Sequence, residues 1–190
     1  MPDFAYYQVY LQAGLTEVEA YILSNELFWP LNATPSYGEP SYPKFTLGGF
    51  LFYKACAQSM AKSDSQTAAM RKIESEMNIY RTRWQVAWVR KANWELKSRL
   101  RQWGNVLNEI RLDPEEHSDY YRYEVRSRVL ISLLLPEIKE IEPAHQAQLD
   151  GLDILLQALF DPGDFIWEPV LASGFPADHF WYLWGLPKAS

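Results

Sequence analysis

The chain has 190 residues, one cysteine and a net charge of −6, with 48% hydrophobic and 22% charged residues. That is enough chain and apolar surface for one core without metal or disulfide staples, and too apolar for long disordered stretches. A lone Cys56 excludes an intrachain disulfide and any cysteine-cluster zinc site, and fits a reducing compartment.

Met1 to Leu11 carries neither a basic leader nor an apolar run of signal type, and the longest apolar run, Val129 to Leu135, is too short to span a bilayer. The expectation is a cytoplasmic protein with no membrane association. Asn32-Ala33-Thr34 matches a glycosylation sequon that carries no meaning in such a compartment. Charge is uneven. Residues 64–111 hold ten Lys/Arg against five Asp/Glu, and residues 112–190 hold five against fourteen.

In chain order, Asp3 caps a helix from Phe4 to Ala13 that Gly14 stops. Thr16 and Glu19 form a capping box for a second helix, Glu17 to Leu27, ended by Phe28-Trp29-Pro30. Residues 30–44 hold four prolines with Gly38, Tyr37 and Tyr42, which reads as a strap packed by its tyrosines. Thr46 opens the next helix, to about Ala61, where Gly48 and Gly49 suit close backbone approach and Leu51, Phe52, Ala55 and Met60 share a face.

From Asp64 to about Arg111, eleven apolar positions from Ile73 to Ile110 recur at spacings of three and four. The pattern predicts one long central helix, with Gly104-Asn105 as the place for a stop or kink that leaves two collinear helices as the alternative. Asp113-Pro114-Glu115-Glu116 starts another helix that reaches Leu135, where Pro136 breaks it. Pro143 begins a helix to about Phe160, with Leu152, Leu155, Leu156 and Leu159 on one face. Asp161-Pro162-Gly163-Asp164 is a turn, a short strand pair around 165–172 stays open, and Pro176 to Trp184 reads as a short helix stopped by Gly185. The fold expected is all-α, a bundle of six or seven helices around one long helix. It forms a single domain, 1–190, with the aromatic-rich segment 161–190 docked on it.

The sequence carries no recognisable catalytic or cofactor motif. There is no glycine-rich phosphate loop and no Gly-x-Ser-x-Gly elbow. Cys56 sits in an apolar helix, as a buried structural thiol does. The histidines are His117, His145 and His179. Glu142 and His145 have the Glu-x-x-His spacing of di-iron bundles, but no second copy exists and Pro143 makes the pair a helix start. Neither catalytic residues, metal ligands nor a cofactor are assigned.

Two features remain. On a helical wheel Lys72, Arg83, Arg90, Lys97 and Arg101 fall within about 40° of one line, with Trp94 beside it. Such a stripe suits an anionic partner, nucleic acid included; the plainer readings are a solvated face or a seam for the acidic C-terminal helices. Trp167, Phe180, Trp181 and Trp184 either complete the core or anchor another protein. The preferred function is a non-enzymatic interaction or accessory subunit, with a protein partner or self-association. The alternatives are a nucleic-acid-associated helical protein and an enzyme whose histidines converge in one cleft.

Overall fold

A computed structural model describes residues 2–114 and 118–188. The described chain is predominantly helical, with seven α-helices and one two-stranded sheet. The helices are α1 (Phe4–Leu23), α2 (Leu47–Met60), α3 (Asp64–Arg83), α4 (Gln85–Leu112), α5 (Tyr121–Glu124), α6 (Arg126–Leu134) and α7 (Pro143–Leu159). Strands β1 (Phe160–Phe165) and β2 (Trp184–Pro187) pair antiparallel. The chain divides into two compact units, Met1–Glu95 and Leu96–Ser190, and α4 gives residues 85–95 to the first and 96–112 to the second.

In the first unit Asp3 caps α1 as its residue type predicts, accepting the Tyr6 N–H at 2.9 Å. Gly14 does not stop the helix. It is buried within α1, and a Cβ there would lie 2.5 Å from the Phe45 ring. The apolar line continues past it through Leu15, Val18 and Ile22, so packing holds the helix together across the glycine. Thr16 likewise caps nothing; its hydroxyl donates back to the Ala13 carbonyl at 2.7 Å. The expected pair of helices is therefore one.

Residues 30–44 form an irregular strap closed by a bridge between Trp29 and Phe45. Tyr42 fastens it, stacking near Tyr6 and donating its hydroxyl to the Tyr6 carbonyl at 3.0 Å, whereas Tyr37 is fully exposed. Thr46 caps α2 by accepting the Gly49 N–H. The first half of α2 is buried all round, from Leu47 to Tyr53, rather than along the face of Leu51, Phe52, Ala55 and Met60. Cys56 is buried within it.

The predicted helix from Asp64 to Arg111 is two helices, and they part at Trp84 rather than at Gly104. Trp84 closes α3 with its N–H on the Tyr80 carbonyl and opens α4 with its carbonyl on the Trp88 N–H, at 2.9 and 2.8 Å. Its ψ of 34° replaces the helical value of about −42°. The hydrogen-bond ladder thus survives while the axis turns, which no proline or glycine announces. The apolar stripe then serves two sets of neighbours. Helix α3 packs along α1 and α2, and the start of α4 meets helix ends.

In the second unit Glu115, Glu116 and His117, part of the predicted helix start, lie outside the described residues. The expected helix to Leu135 is divided at Val125, whose carbonyl takes the Arg128 N–H in a tight turn, and ends in a 3-10 turn containing Pro136. Helix α7 matches its prediction closely. The C-terminal expectations need correction. Asp161 to Asp164 lies within β1, no strand pair forms at 165–172, and Pro176 to Trp184 is turn and 3-10 structure leading into β2. Gly185 permits the pairing: its φ is 144°, and a Cβ would fall 2.1 Å from the Asp161 carbonyl oxygen.

Two helical glycines give opposite expectations. Gly14→Ala drives a methyl into the buried Phe45 ring and should cost about 1–3 kcal/mol. Gly151 in α7 is exposed with nothing near its Cβ position, so Gly151→Ala should stabilise by about 0.5–1 kcal/mol. Urea denaturation of the two variants checks both signs.

Candidate functional site

Three arrangements of polar side chains stand out as candidate sites. The first is built by α4 inside the first unit. Lys91 and Glu95 are buried and stand four residues apart, so they share a helix face. Lys91 reaches the C-terminal end of α1, where its Nζ donates to the Ser24 hydroxyl at 3.2 Å and to the Glu26 carbonyl. Ser24 is the C-cap of α1, and α1 has no basic residue in its own last turn. Arg90 adds a hydrogen bond from Nη2 to the Ile22 carbonyl at 3.4 Å. Cations from α4 therefore supply the charge that a helix C-terminus favours. The Lys91 ammonium also lies 4.4 Å from the Tyr21 ring centroid and 5.2 Å from that of Trp94.

Glu95 does the opposite at α2. Its Oε2 accepts the Gly48 N–H at 2.8 Å, in the first helical turn, where amides lack an intrahelical acceptor. Gly49 beside it leaves only 3.2 Å between a hypothetical Cβ and the Tyr10 hydroxyl oxygen. One turn of α4 thus binds one helix by its negative end and another by its positive end. Burial pushes the Lys91 pKa down to about 8, repulsion by Arg90 adds to this, and Glu26 opposes it. Its burial and its hydrogen bonds to Ser24 and the Glu26 carbonyl give this lysine a structural task.

The second arrangement is in the second unit. Arg128 is buried and pairs bidentately with Asp153, at 2.8 and 2.7 Å, and donates to Ser132 at 2.7 Å. Tyr182 donates to the same Ser132 hydroxyl at 2.8 Å, with the guanidinium 4.6 Å from its ring centroid. Tyr121 donates to the Tyr182 carbonyl at 2.7 Å. Burial raises the Tyr182 hydroxyl to about 12, against the pull of Arg128 and Ser132. Burial also raises Tyr121. Arg128 stays charged: burial works against its charged form, and Asp153 more than compensates. Every group here is satisfied by another, which makes the network a core lock for α6, α7 and the C-terminal segment.

The third arrangement is open to solvent. At the α3–α4 elbow a groove of about 540 Å³ is lined by Leu23, Arg83, Trp84, Val86 and Arg90, among others. Val86 is 85% exposed and Leu23 46%. The Arg83 guanidinium carbon sits 5.4 Å from the Trp84 ring centroid, and the Trp84 indole N–H has no hydrogen-bond partner. A second groove, of about 480 Å³, runs between α1 and α3 past Gln8, Gln12, Lys72 and Glu76.

The expected basic stripe is thereby divided. Arg83 and Arg90 come together at the elbow groove. Lys72 lies in the α1–α3 groove, 3.8 Å from Glu76. Trp94 is partly exposed over Lys91, and Lys97 and Arg101 are exposed residues of the second unit. The stripe was drawn on one continuous helix, and the turn at Trp84 puts Lys72 and Arg83 on a different axis from the rest.

The aromatic residues of the C-terminal segment are largely internal. Phe180 is buried and meets Phe175 edge-on. Trp167 and Trp184 are half-buried and donate to the Arg122 and Phe175 carbonyls at 2.7 and 3.0 Å. Trp181 lies edge-on to Phe160 at 5.3 Å. Of the histidines, His145 Nδ1 is 3.6 Å from Glu142 and His179 Nε2 is 3.7 Å from Asp178. Among the described residues no three His, Cys, Asp or Glu side chains are placed to hold a metal, and no helix is long and apolar enough to cross a membrane.

The sequence reading missed Lys91, Glu95, Leu23, Trp84 and Val86. A signal for the first two existed: a Lys–Glu pair at i, i+4 beside the apolar line Trp88, Ala92, Leu96. No family model, curated protein or solved structure is detectably similar to the chain.

The Lys91 pKa carries a sign. The unfolded lysine titrates near 10.5 and the folded one near 8, so between these values the unfolded chain holds more protons and rising pH favours the fold. The raised tyrosines act oppositely, but only above about pH 10. Urea midpoints between pH 7.5 and 9.5 should rise relative to those of Lys91→Met, which lacks this titration. At pH 7, Lys91→Ala should cost about 1–3 kcal/mol by stripping the α1 terminus of its donor.

Proposed function

We propose that the chain is a non-enzymatic interaction or accessory subunit that receives a partner protein at the α3–α4 elbow. The observation that carries this reading is the composition of that one groove. Two arginines and a tryptophan, the residue types that dominate binding hot spots, surround the exposed apolar side chains of Leu23 and Val86. Apolar side chains left in water beside such residues gain by being covered, at about 25 cal/mol for each Å² removed from solvent. The buried cations contrast with this, since Lys91 and Arg128 are engaged by their own neighbours.

The nucleic-acid reading drew on Lys72 to Arg101 acting as one stripe, and the elbow favours a local contact instead. The tagged chain isolated from its native cells should retain a stoichiometric protein partner that Val86→Asp loses. The melting temperature of the variant should stay close to that of the parent, because surface changes usually stay within about 0.5 kcal/mol. Equal recovery with both would contradict the reading. Recovery that depends on nuclease-sensitive material and falls steeply with salt would favour nucleic acid.

A further inference from the structure

We infer that the elbow groove takes an acidic amphipathic segment of another protein, its carboxylates on Arg83 and Arg90 and its apolar face on Leu23 and Val86. This rests on the interaction reading above and adds the chemistry of the partner. The groove is lined by two guanidinium groups and by no carboxylate. Arg83 lies over the Trp84 ring, and Arg90 is tethered through Nη2 to the Ile22 carbonyl. Both cations are therefore restrained rather than free to wander, which lowers the entropy lost when an acid binds them. A guanidinium offers five N–H donors, and the bond to Ile22 uses one of those on Arg90. Enough remain at each arginine for a bidentate carboxylate.

The space between the arginines decides the class of partner. The groove exposes apolar surface beside Thr82 and Gln85, with Val86 85% exposed and Leu23 46% exposed. A phosphate backbone would pair with the arginines and leave Val86 and Leu23 in water. A segment that alternates acids with Leu, Ile or Phe at helical spacing covers both at once. Charge also disfavours a basic partner, since Arg83 and Arg90 would repel it directly.

The test uses the full chain with a photo-cross-linking amino acid at Val86, irradiated in its native cells, and the adduct is mapped to a peptide by mass spectrometry. The expected adduct is a protein segment of net negative charge with apolar residues at i, i+3 or i+4 spacing. The corresponding synthetic peptide should bind the unlabelled chain. Its affinity should fall about 100-fold in Arg83→Glu/Arg90→Glu, as expected when two charge pairs are reversed, and weaken as salt rises. Arg83→Lys/Arg90→Lys should keep part of the affinity. A neutral or basic adduct segment, a second copy of this chain, or an affinity unchanged by the charge reversal overturns this inference. A heterologous protein adduct of that kind leaves the interaction reading standing. Irradiation that yields no protein adduct, or yields RNA, overturns both.

Discussion

The first unit depends on a single turn of α4 that places a buried cation and a buried anion on the ends of two other helices. Lys91 meets the Ser24 cap hydroxyl of α1 and the Glu26 carbonyl just beyond it, and Glu95 meets the amide end of α2. Neither charge would be tolerated in that interior alone, because burying an unpaired ion costs several kcal/mol. Each is acceptable because it finds polar partners there: Lys91 the Ser24 hydroxyl and Glu26 carbonyl beside the α1 terminus, Glu95 an α2 amide with no intrahelical acceptor. The two charges also fix register. A slip of α4 by one residue would face Lys91 away from Ser24 and Glu95 away from Gly48, so the pairing of ends allows one placement of α4 against α1 and α2.

That placement explains the elbow. Helix α3 must lie along α1 and α2, while residues 90–95 must reach helix ends, and one straight rod of about 70 Å cannot do both. Trp84 takes up the difference in its own φ and ψ, −114° and 34°, while keeping both of its backbone hydrogen bonds. The turn leaves Val86 on the outside, with Arg83 and Arg90 on either side of it in sequence. The surface assigned to a partner is thus a consequence of how the core is clasped. The second unit solves its own packing differently, with an arginine locked to Asp153, Ser132 and Tyr182 beneath an aromatic C-terminal segment.

Helical content, the caps at Asp3 and Thr46 and the bounds of α7 were legible in the sequence because apolar spacing and cap residues act locally. Asp3 and Thr46 cap as their types predict. What escaped reading was settled by distant residues. Gly14 looks like a stop until Phe45, thirty-one positions later, fills its notch. Trp84 carries no breaker, and only the termini of α1 and α2 make a bend there worthwhile. The β1–β2 pair joins residues 19 to 27 positions apart and needs Gly185 at φ 144°. The basic line was half legible: its residues are exposed, but the bend groups Arg83 with Arg90 and leaves Lys72 in another groove.

The clasp can be tested at one amide. Gly48 lies in the first turn of α2, where a backbone N–H has no intrahelical acceptor and ordinarily exchanges with solvent freely. With Glu95 accepting its proton in a buried setting, hydrogen exchange at Gly48 should be slowed to the rate of the buried amides in the middle of α1, and Glu95→Ala should release it. Exchange of Gly48 at the rate of an exposed helix start in the unaltered protein would contradict the account.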